Sequence, residues 1–181
     1  MKKIWNIECK NLINEEVELF GFVDNIRDHG KVVFLDLRDR SGIVQIVINQ
    51  ENEYFSLAKE IKPEYVVKIR GIVKERPFHS INSDLETGGV EVELKELEIL
   101  SRAKTPPFDI STSDYEIDEA LRLKYRYLDL RRRRLQKNLI HRQKVISFFK
   151  NYLSLRGFIE IETPLLTKST PEGARDFVVP S

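Results

Sequence analysis

Phe34 and Gln45 lie in two neighbouring runs, VVFLDLR and IVQIVIN, where aliphatic residues alternate with others. Side chains alternate along a strand with period two, so Val33, Leu35 and Leu37 share one face and Phe34, Asp36 and Arg38 the other. In the second run Val44, Ile46 and Ile48 take one face and leave Gln45 opposite them. An aromatic ring and an amide on adjacent strands, ringed by Arg27, Asp36 and Arg38, make a surface suited to a flat polar ligand such as a nucleobase. An edge phenylalanine covered by a loop would give the same pattern. A second candidate is LRLKYRYLDLRRRRLQK, residues 121–137, in which Tyr125 and Tyr127 interrupt a basic stretch ending in Arg131, Arg132, Arg133 and Arg134. Such a stretch either meets a phosphate backbone or is a solvated face. A third is STPEGARD, where Glu172, Arg175 and Asp176 flank Gly173; taken alone it could be any surface loop.

The elements that position these residues follow from spacing. Residues 17–48 read as three antiparallel strands, with Gly30 at the first reversal and Ser41-Gly42 at the second, where positive φ favours glycine. Residues 51–62 carry Tyr54, Leu57, Ala58 and Ile61 at helical spacing and end before Pro63. A fourth strand is expected over 65–74 with a bend or bulge at Gly71, then a loop over 76–89 and a fifth strand over 90–100. Three strands, a helix and two strands is the order of an OB-fold, a five-stranded barrel whose second and third strands commonly carry single-stranded nucleic acid. The platform of Phe34 and Gln45 falls on that face. The lead-in is expected to pack Ile4, Trp5 and Leu12 under the first strand.

After residue 100 the texture changes. Pro106 and Pro107 and the acidic stretch 114–119 mark a linker, and the expected domains are 1–104, a linker or hinge over 105–134, and 135–181. Leu135, Leu139, Ile146, Phe149 and Leu153 repeat on one face of a long helix over 135–156, stopped by Gly157. A strand starting at Phe158 and broken by Pro164 should follow.

Composition bounds the class. Hydrophobic residues are 41% of the 181-residue chain, enough for a core, and 30 basic against 29 acidic residues leave a net charge of +1. Any nucleic-acid binding must therefore come from local patches. The single cysteine, Cys9, cannot form an internal disulfide, in keeping with a reducing compartment. No apolar run approaches the roughly 20 residues of a membrane span, and MKKIWNIECKN lacks the apolar region of a secretory signal, so a cytosolic protein is expected.

Three long matches in order, GFVDNIRDHGKVVFLDLRDRSGIVQIV, LRLKYRYLDLRR and GFIEIETPLLTKSTPEGARDFVVPS, resemble the N-terminal part of the bacterial-type aspartyl-tRNA synthetases, class II enzymes. Lysyl and asparaginyl relatives share part of this text, but STPEGARDF after ETPLL is similar to the aspartyl pattern. The resemblance implies an OB-fold followed by the α+β start of a catalytic domain. It implies that Phe34 stacks on an anticodon base while Arg27 and Gln45 bond base edges, and that residues 121–134 form a hinge in which Arg131 to Arg134 meet the tRNA backbone. It further implies that residues 135–166 are motif 1, with Pro164 in a homodimer interface, and that Glu172 lies near the substrate ammonium. His29 is a small hint that tRNA-Asn is taken as well as tRNA-Asp. The family's reaction uses aspartate, ATP and Mg²⁺, with motifs 2 and 3 expected beyond Ser181, so this chain is expected to bind tRNA without forming an adenylate. A stand-alone RNA-binding module that has lost catalysis is the alternative.

Overall fold

The computed structural model describes residues 3–111 and 116–166. They divide into two compact units, residues 1–132 and 133–181.

The first unit is a closed barrel of β1 (Glu16–Asp28), β2 (Val32–Arg38), β3 (Ile43–Asn49), β4 (Val66–Glu75) and β5 (Val90–Ser101) in the order β1-β2-β3-β5-β4. All neighbours are antiparallel except β3 and β5, whose parallel pairing closes the ring. The alternating residues of β2 and β3 deliver Val33, Leu35, Leu37, Val44, Ile46 and Ile48 to a core in which none of them touches solvent. The turns are those the sequence encodes. Gly30 sits at φ 80°. The β2–β3 turn is organised by Asp39, whose Oδ1 accepts from the Ser41 and Gly42 amides at 2.7 and 3.1 Å and from the Ser41 hydroxyl at 2.6 Å.

Three register shifts interrupt the ladders, at Asp24 in β1 and at Leu100 and Lys95 in β5, and those at Asp24 and Lys95 lie within the strands. In β1, Asp24 is inserted between the pairs Val23–Leu37 and Asn25–Asp36. Before it, Val17, Leu19 and Val23 point inward; after it, Ile26 packs against the core and Arg27 turns out, directly across from Phe34. Strict alternation would have sent Arg27 to the core side, so the bulge brings it to the platform. In β5 the extra residue is Lys95, and the paired strand answers with Gly71. A Cβ on Gly71 would lie 2.3 Å from the Glu93 carbonyl oxygen. The expected irregularity at Gly71 is thus present, with the inserted residue on the neighbouring strand.

Helix α1 (Phe55–Glu60) is shorter than the sequence spacing suggests, because Gln50 to Tyr54 form turns instead: the Asn52 side chain accepts from the Tyr54 amide at 2.9 Å and donates to the Leu94 carbonyl at 2.7 Å. An Asx side chain competing for local backbone groups delays the helix start. The lead-in forms a 3-10 helix, Asn6–Asn11. Ile4 and Cys9 join the core, but Trp5 stays outside with the Arg40 guanidinium 5.5 Å from its ring. Burial pushes the Cys9 thiol up to about 12, so it is an inert packing residue.

Short helices α2 (Glu119–Lys124) and α3 (Arg126–Asp129) also belong to the first unit. Asp118 caps α2, accepting from the Leu121 amide at 2.9 Å. The structural division therefore falls at 132/133, close to the end of the segment expected as a hinge and well after the expected end of the barrel domain at 104.

The second unit holds α4 (Arg133–Ser154). Gly157 at φ 85° ends it: its amide donates to Ser154 at 3.0 Å and that of Phe158 to Leu153 at 3.2 Å, the paired bonds of a Schellman cap. No residue of α4 is buried, and Phe149, Leu153, Phe158 and Ile161 are exposed. The strand expected from Phe158 does not form among the described residues: a strand needs a partner strand, and segment 158–166 pairs with none of the described ones. Pro164 is exposed within that segment; Glu172 lies outside the described residues.

Candidate nucleic-acid interface

A groove of about 490 Å³ crosses the outer face of β2 and β3, lined by Arg27, His29, Phe34, Asp36, Gln45, Arg76 and Glu91 among others. Its positions come from the sheet register: Arg27 pairs with Phe34, Asp36 with Gln45, and Gln45 with Glu91. Phe34 is half-buried and meets the His29 ring edge-on, with centroids 5.6 Å apart and planes at 77°. Arg27 Nη2 donates to Asp36 Oδ1 and to Gln45 Oε1, both at 3.0 Å, and Gln45 Nε2 donates to Glu91 Oε2 at 3.1 Å. The Gln45 amide is thereby fixed in orientation, yet one N–H and one oxygen lone pair remain for a ligand.

The groove is electrostatically mixed. Burial pushes the Asp36 carboxyl above its ordinary range, against the opposing pull of Arg27. Burial likewise raises Glu91, with Arg76 and Gln45 pulling it down, and depresses the Arg76 guanidinium. Arg76 donates from Nε to the Val90 carbonyl at 3.0 Å and from Nη1 to the Ser80 carbonyl at 3.4 Å, while its buried Nη2 has no hydrogen-bond partner among the described residues. One apolar ring face, an oriented amide, two guanidinium groups and two carboxylates within one open groove suit a planar, hydrogen-bonding ring.

Arg27, Phe34, Gln45 and His29 are thus brought together as the sequence suggests, and Arg38 is not. Arg38 pairs with Asp24 and, at 2.7 Å, with Glu64; the register sets it across from Phe22, next to the β1 bulge at Asp24. Arg76 and Glu91 were missed by sequence reading; the signal for Glu91 was its alternation against Val90 and Val92, but nothing local showed that β5 lies beside β3.

The hinge arginines also need correction. Arg131 pairs with Glu64, and its guanidinium lies 5.2 Å from the Phe22 ring, with that of Arg38 at 5.7 Å from the same ring. Arg132 is 1% exposed and bonds buried Asp129 at 3.3 Å; Arg126 bonds the same carboxylate at 2.6 Å. Two of the four expected backbone contacts are paired with carboxylates of the fold, Arg131 while partly exposed and Arg132 while buried, and a buried cation persists only when so paired.

Comparison with known proteins agrees with this architecture. Residues 17–100 match the OB-fold nucleic acid binding domain family, and residues 118–181 match tRNA synthetases class II (D, K and N). The aspartate–tRNA(Asp/Asn) ligases of Syntrophomonas wolfei and Gloeobacter violaceus are 55% and 56% identical over 173 and 171 residues, covering 94% and 93% of this chain. The chain spans 29% of each of those proteins. The crystal structure of asparaginyl-tRNA synthetase from Pyrococcus horikoshii in complex with asparaginyl-adenylate is similar with a TM-score of 0.78 and 28% identity, over 96% of this chain and 39% of that one. A nucleic-acid-binding barrel followed by the opening of a class II synthetase domain defines the class. The chain belongs to the class II tRNA synthetases and corresponds to the N-terminal region of the bacterial-type aspartyl members.

Proposed function

We propose that this chain is the anticodon-binding region of an aspartate–tRNA ligase and that its groove holds the anticodon of tRNA-Asp. The carrying observation is the Phe34 ring on the outer barrel face with an amide fixed beside it by Arg27 and Glu91. A base stacks on Phe34, and its edges meet Gln45 and Arg27; stacking supplies affinity and the edge contacts supply choice. Arg133 and Arg134 are the hinge residues assigned to the RNA backbone. His29, in edge contact with Phe34 on the groove wall, supports acceptance of tRNA-Asn as well, as do relatives named for both tRNAs.

The parent reaction joins aspartate to tRNA at the expense of ATP with Mg²⁺. Among the described residues no cluster of three or more His, Cys, Asp or Glu side chains could hold a metal ion, and the groove's carboxylates and ring suit a base better than a triphosphate. ATP and Mg²⁺ are assigned to the full-length ligase. Glu172 is assigned to the substrate ammonium as a charge-assisted contact. Pro164 and the exposed Phe149, Leu153, Phe158 and Ile161 are assigned to a homodimer interface, which their solvent exposure supports. Among the described residues no helix is long and apolar enough to cross a membrane, in keeping with a cytoplasmic ligase.

The test is titration of the 181-residue chain with a labelled hairpin carrying the tRNA-Asp anticodon loop, alongside ATP–pyrophosphate exchange. Saturable binding that a hairpin with a scrambled anticodon fails to compete, with no aspartate-dependent exchange, is expected. Equal binding of both hairpins would refute the groove assignment.

A further inference from the structure

Phe78 is 92% exposed, the most exposed large apolar side chain of the barrel unit. It stands in a single 3-10 turn, Phe78–Ser80, whose flanking Pro77 and closing Ser80 both line the groove of Phe34 and Gln45. Phe78 itself is not a lining residue but stands between two that are.

The backbone that presents it is braced. Pro77 restricts φ before the turn, and the Ser80 amide donates to the Pro77 carbonyl at 2.8 Å. Beneath the turn the Arg76 guanidinium ties the Ser80 carbonyl to that of Val90 on β5. Across the loop the Asn82 amide donates to the Gly88 carbonyl at 3.1 Å, and a Cβ on Gly88 would lie 1.7 Å from the Asn82 oxygen, so only glycine permits this approach. The loop thus holds a large apolar ring in water from an ordered base, although burying it would stabilise the fold.

A single strand that leaves a groove with one base stacked on an aromatic brings its next base to the rim, and any base has a π-face to offer. We propose that Phe78 stacks the nucleotide adjacent to the one on Phe34, so that the site takes a run of two unstacked RNA bases; this rests on the anticodon-groove reading and extends it to a second aromatic. Phe34 is the ring inside the groove and Phe78 the ring at its exit. Phe78 adds affinity and fixes the strand's direction.

The experiment uses the 181-residue chain and RNA hairpins carrying the tRNA-Asp anticodon loop, with 2-aminopurine placed at each loop position in turn. Phe78→Ala is expected to weaken binding by about five-fold or more, with the far-UV spectrum unchanged because the ring packs on nothing. Phe78→Tyr should restore affinity and Phe78→Leu should not. The fluorescence quenching of one loop position should be lost in Phe78→Ala, and that of a different position in Phe34→Ala. Wild-type affinity and quenching in Phe78→Ala, with weakened binding in Phe34→Ala, would overturn the second stack and leave the groove reading standing. Rescue by Leu equal to that by Tyr would also overturn stacking. Unweakened binding in Phe34→Ala, or no hairpin binding by the wild type, would overturn both.

Discussion

Glu64→Gln should loosen the attachment of the hinge helices to the barrel. Glu64 is nearly buried, in a left-handed backbone conformation at φ 70°, and its two oxygens take Arg38 from β2 and Arg131 from the turn after α3. Hydrogen bonds to charged groups contribute about 1.5–3 kcal/mol each. Arg38 keeps Asp24 after the change, which places its loss at the low end. The Arg131 side chain is 36% exposed, so water screens part of that pair. The amide retains one acceptor oxygen, and the backbone conformation is common to both forms and cancels. The net loss is about 2–3 kcal/mol, and at roughly 2–4 °C per kcal/mol for a chain of this size Tm should fall by about 5–10 °C. Thermal unfolding followed by far-UV circular dichroism at neutral pH measures it, and amide exchange over residues 119–132 should accelerate more than exchange in β2. A Tm within about 2 °C of wild type, with unaltered exchange in 119–132, would refute the bridging role.

Phe34→Ala should weaken anticodon-hairpin binding by about 1–3 kcal/mol but cost less than about 1.5 kcal/mol in urea unfolding, since the ring is only half-buried and its aromatic partner is an edge contact with His29; Leu35→Ala, at a core position without solvent contact, should invert the ranking with about 2–5 kcal/mol of instability. Gly71→Ala should lower the unfolding free energy measured in urea by about 1–3 kcal/mol, because the obstructing atom is the Glu93 backbone oxygen, whereas Gly89→Ala, with open space at its Cβ, should not. The pH response follows from Asp36 and Glu91, whose carboxyls are raised by burial. Their contribution to stability is fully present below the ordinary carboxylate pKa and is lost as pH rises through the raised folded-state value, so between those limits acidification should stabilise the barrel while hairpin affinity falls as Glu91 loses its charge. Affinity titrations across that window should show a flatter profile for Glu91→Gln than for wild type; equal slopes would refute a role for the Glu91 charge.

Local pattern was enough for the strands, the two turns, the long helix and the face that Phe34 and Gln45 share, because alternation, glycine at a reversal and a Gly C-cap are constraints between neighbours in sequence. Arg27 is different: its place on that face depends on Asp24 being inserted opposite Leu37 and Asp36, and a bulge is defined by the pairing of two strands. Arg76 and Glu91 reach the groove only because β5 closes the barrel against β3 in parallel, a contact between segments far apart in the chain. The arginine run reads as one basic patch in sequence, yet Glu64 pairs with Arg131 and Asp129 holds Arg132 inside the fold, since the position of a buried carboxylate, which decides what a cation faces, is set by packing. The strand expected at Phe158 marks the same boundary: its apolar residues are written in the sequence, but a strand exists only with a partner that tertiary structure supplies.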